Sequence, residues 1–281
     1  MTSLTLGLIA AVCWGLHDIA IRYLSRTVPL MGALFVVLCV GAVFQSLVIV
    51  QRGSDFNVTG PALWLSVGAG GGFLAASIGL YHAFARGPVR LVSPIIASYP
   101  ILSILFAVLA GSTITLWQGF AVLAIVVGVG LVAALSDRSD DEIPPMGPTI
   151  GLALFAAAGF ATTFKLGQLA AEMAGELPTT LVARLTCLAL LGAGMLIFRL
   201  PFWPGKLALI PLGIMGVLDG IALLSVLSAG GMAHPEYASV ASSLFGLLTI
   251  LLAWIFLRER MTLIQWAGCL IAFAGVGYLA L

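Results

Sequence analysis

The sequence predicts an all-α integral membrane protein of ten transmembrane helices, in two inverted five-helix repeats around a central cavity. Three observations carry that prediction. Of the 281 residues, 61% are hydrophobic and only 8% charged, where a soluble domain carries about 25% charged residues. A mean hydropathy of +1.17 leaves no polar exterior to meet water. Apolar runs of the spanning length, about 20 residues, recur from one end of the chain to the other. A charged, proline-bearing stretch divides these runs into two groups of five. Five crossings are an odd number, so the second group enters the membrane from the opposite side. Repeats related in that way are inverted, the arrangement by which a secondary transporter sets one site between two gates.

The runs place helices at roughly 4–24, 29–51, 60–85, 89–110 and 115–136, then at 148–171, 178–198, 207–230, 235–257 and 262–281. Residues 1–136 form the first repeat, 137–147 a polar connector and 148–281 the second repeat. The connector holds Asp137, Arg138, Asp140, Asp141 and Glu142 followed by Pro144 and Pro145, a cluster that lipid does not accept. Met1 to Leu4 lack a basic stretch and a small-residue cleavage signal, so the first run is expected to remain as a helix. In the fourth helix, Pro94 and Pro100 interrupt the hydrogen-bond ladder and free carbonyls, which is tolerated where they line a cavity.

The two halves match in order. Gly7 and Gly15 recur as Gly151 and Gly159, Gly68 and Gly72 as Gly216 and Gly220, and Pro88 as Pro235. Thr115 recurs as Thr262, and Gly119 and Gly128 as Gly268 and Gly277. The spacing drifts only slightly along the chain, as small loop insertions would cause. The pairs 68/72 and 216/220 put two glycines on one helix face, where a neighbouring backbone can approach. Orientation follows from the basic residues. Arg22, Arg26, Arg86, Arg90, Arg138, Arg199, Lys206, Arg258 and Arg260 lie at one membrane face, and only Arg52 at the other. Basic residues stay in the cytoplasm, so both termini are expected outside it.

The net charge of +1 and the lack of a basic patch argue against a nucleic-acid partner. Cys13, Cys39, Cys187 and Cys269 all fall inside apolar runs and show no metal-ligand spacing, so they read as packing residues. No Gly-x-Ser-x-Gly, His-Glu-x-x-His or phosphate-binding glycine loop occurs, which speaks against an enzyme and against ATP as the energy source.

Few ionisable groups lie inside helices: His17, Asp18, His82, Lys165, Arg184 and Asp219. Each costs about 2.5–3.5 kcal/mol on insertion scales, so such groups face a cavity or a partner. Trp14, Asp18 and Arg22 share one face of the first helix. The cluster reads either as part of a substrate site with His17 or as a structural Asp18–Arg22 pair. Lys165, with Gln168 near it, lies at comparable depth on the sixth helix, either across the cavity from Asp18 or snorkelling beside Glu172. Tyr81, His82 and Tyr99 are further candidates for the substrate site. Asp219 sits mid-membrane and reads as a proton carrier or as the partner of a cation. Glu236 and Tyr237 read as interfacial anchors, and Arg184 as a snorkelling residue.

The whole chain resembles the EamA-type branch of the drug/metabolite transporter superfamily. The resemblance rests on Ala11-Val12-Cys13-Trp14-Gly15, on Arg258-Glu259-Arg260-Met261-Thr262, and on Gln265-Trp266-Ala267-Gly268 through Gly275-Val276-Gly277. The first repeat departs from the pattern, with Gly111-Ser112-Thr113 where a glutamate would stand. The resemblance implies a basket of helices around a central cavity, with the fifth and tenth more peripheral. It also implies transport of small metabolites, often amino acids, commonly outward. It carries over no universal substrate motif.

The expectation is therefore a secondary transporter in the plasma (inner) membrane, moving a small polar or amphipathic metabolite such as an amino acid. Proton-coupled export of hydrophobic cations is the alternative, and a non-transporting membrane scaffold is the alternative of another class. The expected partners are a small-molecule substrate, the lipid bilayer and candidate coupling protons. No cofactor or metal is expected, and no oligomer is required.

Overall fold

The computed structural model describes residues 2–109, 115–136, 145–230, 232 and 236–279. The first repeat contains α1 (Ser3–Leu24), α2 (Leu30–Arg52), α3 (Gly60–Arg86), α4 (Val89–Ile96), α5 (Pro100–Leu109) and α6 (Leu116–Ser136). The second contains α7 (Met146–Ala174), α8 (Glu176–Ile197), α9 (Leu209–Leu227), α10 (Glu236–Ser242), α11 (Phe245–Leu252) and α12 (Leu263–Leu279). A 3-10 turn, Lys206–Ala208, leads into α9, and a π turn, Ala253–Leu257, extends α11. Most of the charged connector, with Pro235 and the side chains of Glu236 and Tyr237, lies outside the described residues.

Among the described residues, seven helical stretches have the length and composition to cross a membrane. Three shorter apolar stretches, Val89–Leu102, Leu116–Val132 and Leu263–Tyr278, fall on the remaining expected spans. The exterior is apolar, with Leu47, Trp64, Phe120, Ile197, Leu207 and Ile214 all exposed, while His17, Asp18, Arg184 and Asp219 are buried. A soluble protein would reverse that distribution. Helix contacts repeat under exchange of the halves. The pair α3–α7 has its counterpart in α9–α1, α3–α8 in α9–α2, and α4–α7 in α10–α1, while α6 packs on α12 at the periphery. That exchange describes a pseudo-twofold axis between the two repeats.

The spans expected at 89–110 and 235–257 are each broken. Pro94 and Pro100 account for the first interruption, at residues 97–99. The second, at Ser243 and Leu244, contains no proline. There the backbone tightens to i→i−3 bonds, with Ser243 N–H on the Val240 carbonyl at 3.1 Å and Leu244 N–H on that of Ala241 at 3.2 Å. Ser242, Ser243 and Gly246 surround this break, the composition at which helices without proline kink. The two breaks meet. The Tyr99 hydroxyl reaches the Ser239 carbonyl and Ser242 Oγ, each at 2.5 Å. At Gly246, a Cβ would stand 2.7 Å from that of Ala97, so only glycine fits there.

The glycine pairs do not make one contact twice. A Cβ at Gly72 would lie 3.2 Å from the Gly159 carbonyl oxygen of α7, whereas one at its counterpart Gly220 would lie 2.9 Å from the Phe44 ring of α2. The two pairs face non-equivalent helices, α7 for 68/72 and α2 for 216/220.

Candidate substrate cavity

Five elements place the site by helical phase. On α1, Trp14, His17 and Asp18 share one face by i, i+3 and i+4 spacing. On α3, Phe73, Ser77, Leu80 and Tyr81 do the same, and α7 adds Phe160 and Phe164. Asp219 enters from α9, and Leu34 and Val37 from α2. The two broken spans contribute Tyr99 and Phe245 from beside their interruptions. Together they enclose a cavity between the repeats. Its volume is only about 20 Å³, little more than the ~10–15 Å³ that one water needs on this measure. A metabolite enters only if the helices part.

Most of the wall is aromatic. The Trp14 ring lies 5.6 Å from that of Phe164 and nearly parallel to it, 5.9 Å from Phe160 and 6.3 Å from Phe245. Tyr99 lies 5.2 Å from Phe164, edge to face. Such faces suit an apolar or aromatic body and, through their quadrupoles, a cation.

The two acids have different surroundings. Asp219 has a donor on each oxygen: Trp14 Nε1 donates to Oδ1 at 3.0 Å, and the fully buried Arg184 donates through Nη1 to Oδ2. The guanidinium also lies 5.2 Å over the Phe73 ring. On its other side is Gly41 of α2, where a Cβ would stand 3.0 Å from the guanidinium carbon. Asp18 is half-satisfied. Its Oδ1 lies 3.1 Å from His17 Nδ1, and His17 Nε2 lies 3.2 Å from the Tyr81 hydroxyl. With Asp18 ionised and His17 neutral, Nδ1–H donates to the carboxylate and Nε2 accepts from the phenol. Asp18 Oδ2 is buried with no hydrogen-bond partner.

Of the residues expected in the site, the structure brings together Trp14, His17, Asp18, Tyr81, Tyr99 and Asp219. Three others do not line the cavity. Lys165 is exposed on the outer surface of α7. It follows the inward-facing Phe164, and one residue turns a helix by about 100°. His82 follows Tyr81 in the same way, and its Nδ1 bonds the Ile78 carbonyl at 2.9 Å. Gln168 is buried, but its Nε2 donates to the Val226 carbonyl at 3.2 Å and to Ser239 Oγ at 3.3 Å, joining α7 to α9 and α10. The alternative Asp18–Arg22 pair does not form, because Asp18 turns to His17. Arg22 Nη1 donates to the Phe84 carbonyl at 2.6 Å.

The expectation that Arg184 snorkels is overturned. It lies about 12 Å along α8 from Glu176 at 1.5 Å per residue, too deep to reach the interface, and it meets Asp219 instead. Asp219 is therefore a cation's partner in this structure. Phe73, Phe160, Phe164 and Phe245 were also missed. The i, i+4 spacing of Phe160 and Phe164 was the available signal, but in so apolar a chain it does not stand out.

One turn beyond Asp18 along α1, toward the face rich in basic residues, a polar lock joins the two repeats. The N–H groups of Val89 and Arg90, which open α4, donate to Glu259 Oε1 and Oε2 at 3.1 and 3.3 Å. Arg22 Nε lies 3.8 Å from Glu259, and Arg90 Nη1 donates to the Arg260 carbonyl at 3.2 Å. A carboxylate at a helix N-terminus satisfies free donors and complements the helix dipole. This one ties the second repeat's 258–262 connector to the first repeat.

The chain is similar to a protein of known crystal structure at a TM-score of 0.75 and 17% identity, covering 99% of this chain and 96% of that one. At that identity the likeness establishes the fold. No curated protein matches the chain. The profile of the EamA-like transporter family matches it twice, over residues 1–134 and 147–281, one match for each five-span half. With the profile covering nearly the whole sequence, and the two halves packed about a pseudo-twofold axis, the chain belongs to the EamA-like transporter family, and it is a membrane transporter of the drug/metabolite type.

Proposed function

We propose that the protein is a secondary transporter, working by alternating access in the plasma membrane, for a small amphipathic solute that joins an apolar or aromatic body to a protonated amine. The observation that supports this reading is the composition of the cavity wall. Aromatic rings surround the unpartnered Asp18 Oδ2, and no Lys or Arg is among the described lining residues. An ammonium group would take the free carboxylate oxygen, and the rings would take the body and part of the charge. The direction would be outward, as the resemblance implies.

A second reading, a zwitterion such as an amino acid, draws support from Arg184. Its Nε and Nη2 are buried without hydrogen-bond partners, and a solute carboxylate could engage them if Asp219 gave way. Counterflow of labelled phenethylamine and of labelled phenylalanine into proteoliposomes separates the readings. Phenethylamine should exchange, and Asp18→Asn should abolish that exchange. Movement of phenylalanine alone would favour the zwitterion. Movement of neither, with folded protein, would refute both.

A further inference from the structure

We propose that Asp18, His17 and Tyr81 form a proton-binding site, where the transporter holds a proton whenever no cation occupies the cavity. The proposal deepens the function given above and rests on it for the identity of the competing cation. Its basis is the difference between the two buried acids. Asp219 has a donor on each oxygen, one of them a guanidinium. Protonating it would leave Arg184 charged, fully buried and without its anion. Asp18 has one oxygen with no partner at all, although its side chain is only 1% exposed and lines the cavity. An anionic oxygen held in a low-dielectric space without a donor is unstable. A proton or a cation is what relieves it, and the cavity beside Asp18 has room for a single water.

The His17–Tyr81 arm gives that proton a second seat. On Asp18 Oδ2 it makes a neutral acid beside a neutral imidazole. On His17 it makes an imidazolium paired with the carboxylate through Nδ1, while Nε2, now carrying the proton, turns from accepting to donating toward the Tyr81 oxygen. Both forms raise the charge of the cavity by one, as an entering ammonium ion does. The remaining ionisable groups that face Asp18 are few. Asp219 comes from α9 with Arg184 of α8 behind it, and the thiols of Cys13 and Cys187 interact electrostatically with Asp219. Tyr99 is held by Ser239 and Ser242. The lining residues of α2, α7 and α11 carry no ionisable group.

Infrared difference spectra of the purified protein, recorded between acidic and alkaline buffer with no solute present, test this directly. Wild type should show a titrating protonated-carboxyl or imidazolium band. The band should be lost in Asp18→Asn and kept in Asp219→Asn. Asp18→Glu should keep it at a shifted frequency, which guards against misreading a folding defect. His17→Gln and Tyr81→Phe should each move its midpoint. A band that survives Asp18→Asn, vanishes in Asp219→Asn, or titrates unchanged in both His17→Gln and Tyr81→Phe would overturn the proposal. Because no solute is used, failure of phenethylamine transport and failure of this titration are separate results.

Discussion

Neutralising Asp219 should cost the protein stability before it costs anything else. Asp219→Asn keeps an oxygen for Trp14 Nε1 but removes the anion that pairs with Arg184. That guanidinium is fully buried, with Nε and Nη2 already lacking partners. Stripping one member from a buried ion pair costs about 3–5 kcal/mol. The Phe73 face 5.2 Å away still meets the guanidinium, and the amide oxygen can still accept one bond, so the lower end of the range applies. At about 2–4 °C per kcal/mol for a chain of this order, the melting temperature should fall by roughly 10 °C. Tryptophan fluorescence during a thermal ramp in one fixed detergent reads this. The sharper arm is Arg184→Met combined with Asp219→Asn. If the loss comes from an orphaned charge, the double variant should melt well above Asp219→Asn alone. A single variant that melts like wild type, or a double variant whose losses simply add, would show that the pair does not hold α8 and α9 together.

Other outcomes follow from the same geometry. Lys165→Ala should leave phenethylamine exchange within about twofold of wild type, as substitutions at exposed positions usually do, because Lys165 lies on the outer surface; a loss of transport would return it to the site. Gly128→Leu should destabilise the α6–α12 pair by about 1–3 kcal/mol, since its Cβ would meet the Ala272 nitrogen at 2.6 Å; an unchanged melting curve would contradict that packing. Glu259→Ala uncaps α4 at a cost of about 0.5–2 kcal/mol and should loosen the lock. In a background without the native cysteines, a cysteine at Ser77 in the cavity should then react faster with a thiol reagent added at the basic face. Equal rates would mean that Glu259 does not control access.

Composition made the membrane class legible, and an odd number of spans per half made the inversion legible, because both depend only on how much apolar chain there is and how often it is interrupted. Helical phase was harder to read. Trp14, His17 and Asp18 were found because their spacing forces them onto one face. Lys165 and His82 were misplaced because each sits one residue after an inward-facing aromatic, and depth in the membrane says nothing about direction. The proline-bearing break in the first repeat was foreseen from Pro94 and Pro100. Its counterpart was not, since Ser242, Ser243 and Gly246 do not on their own break a helix in so apolar a chain. The glycine matches pointed to the correct repeat, yet Gly72 and its counterpart Gly220 pack on non-equivalent helices.

Pairing was the least legible property, and it decides the chemistry. A sequence names the ionisable residues that lipid will not accept, but the choice of partner is made between helices far apart in the chain. Arg184 could satisfy Asp219 only because Gly41 of a third helix leaves room for the guanidinium. That pairing uses up one acid and leaves Asp18 as the available one. The scaffold is symmetric where helices pack and asymmetric where charges sit. His17 and Asp18 belong to α1, Arg184 and Asp219 to α8 and α9, and Glu259 caps α4 of the first repeat from the 258–262 connector. The corresponding segment of the first repeat reads Gly111-Ser112-Thr113 and has no carboxylate to offer. The contacts that Glu259 makes at the basic end therefore have no carboxylate counterpart in the sequence of the first repeat.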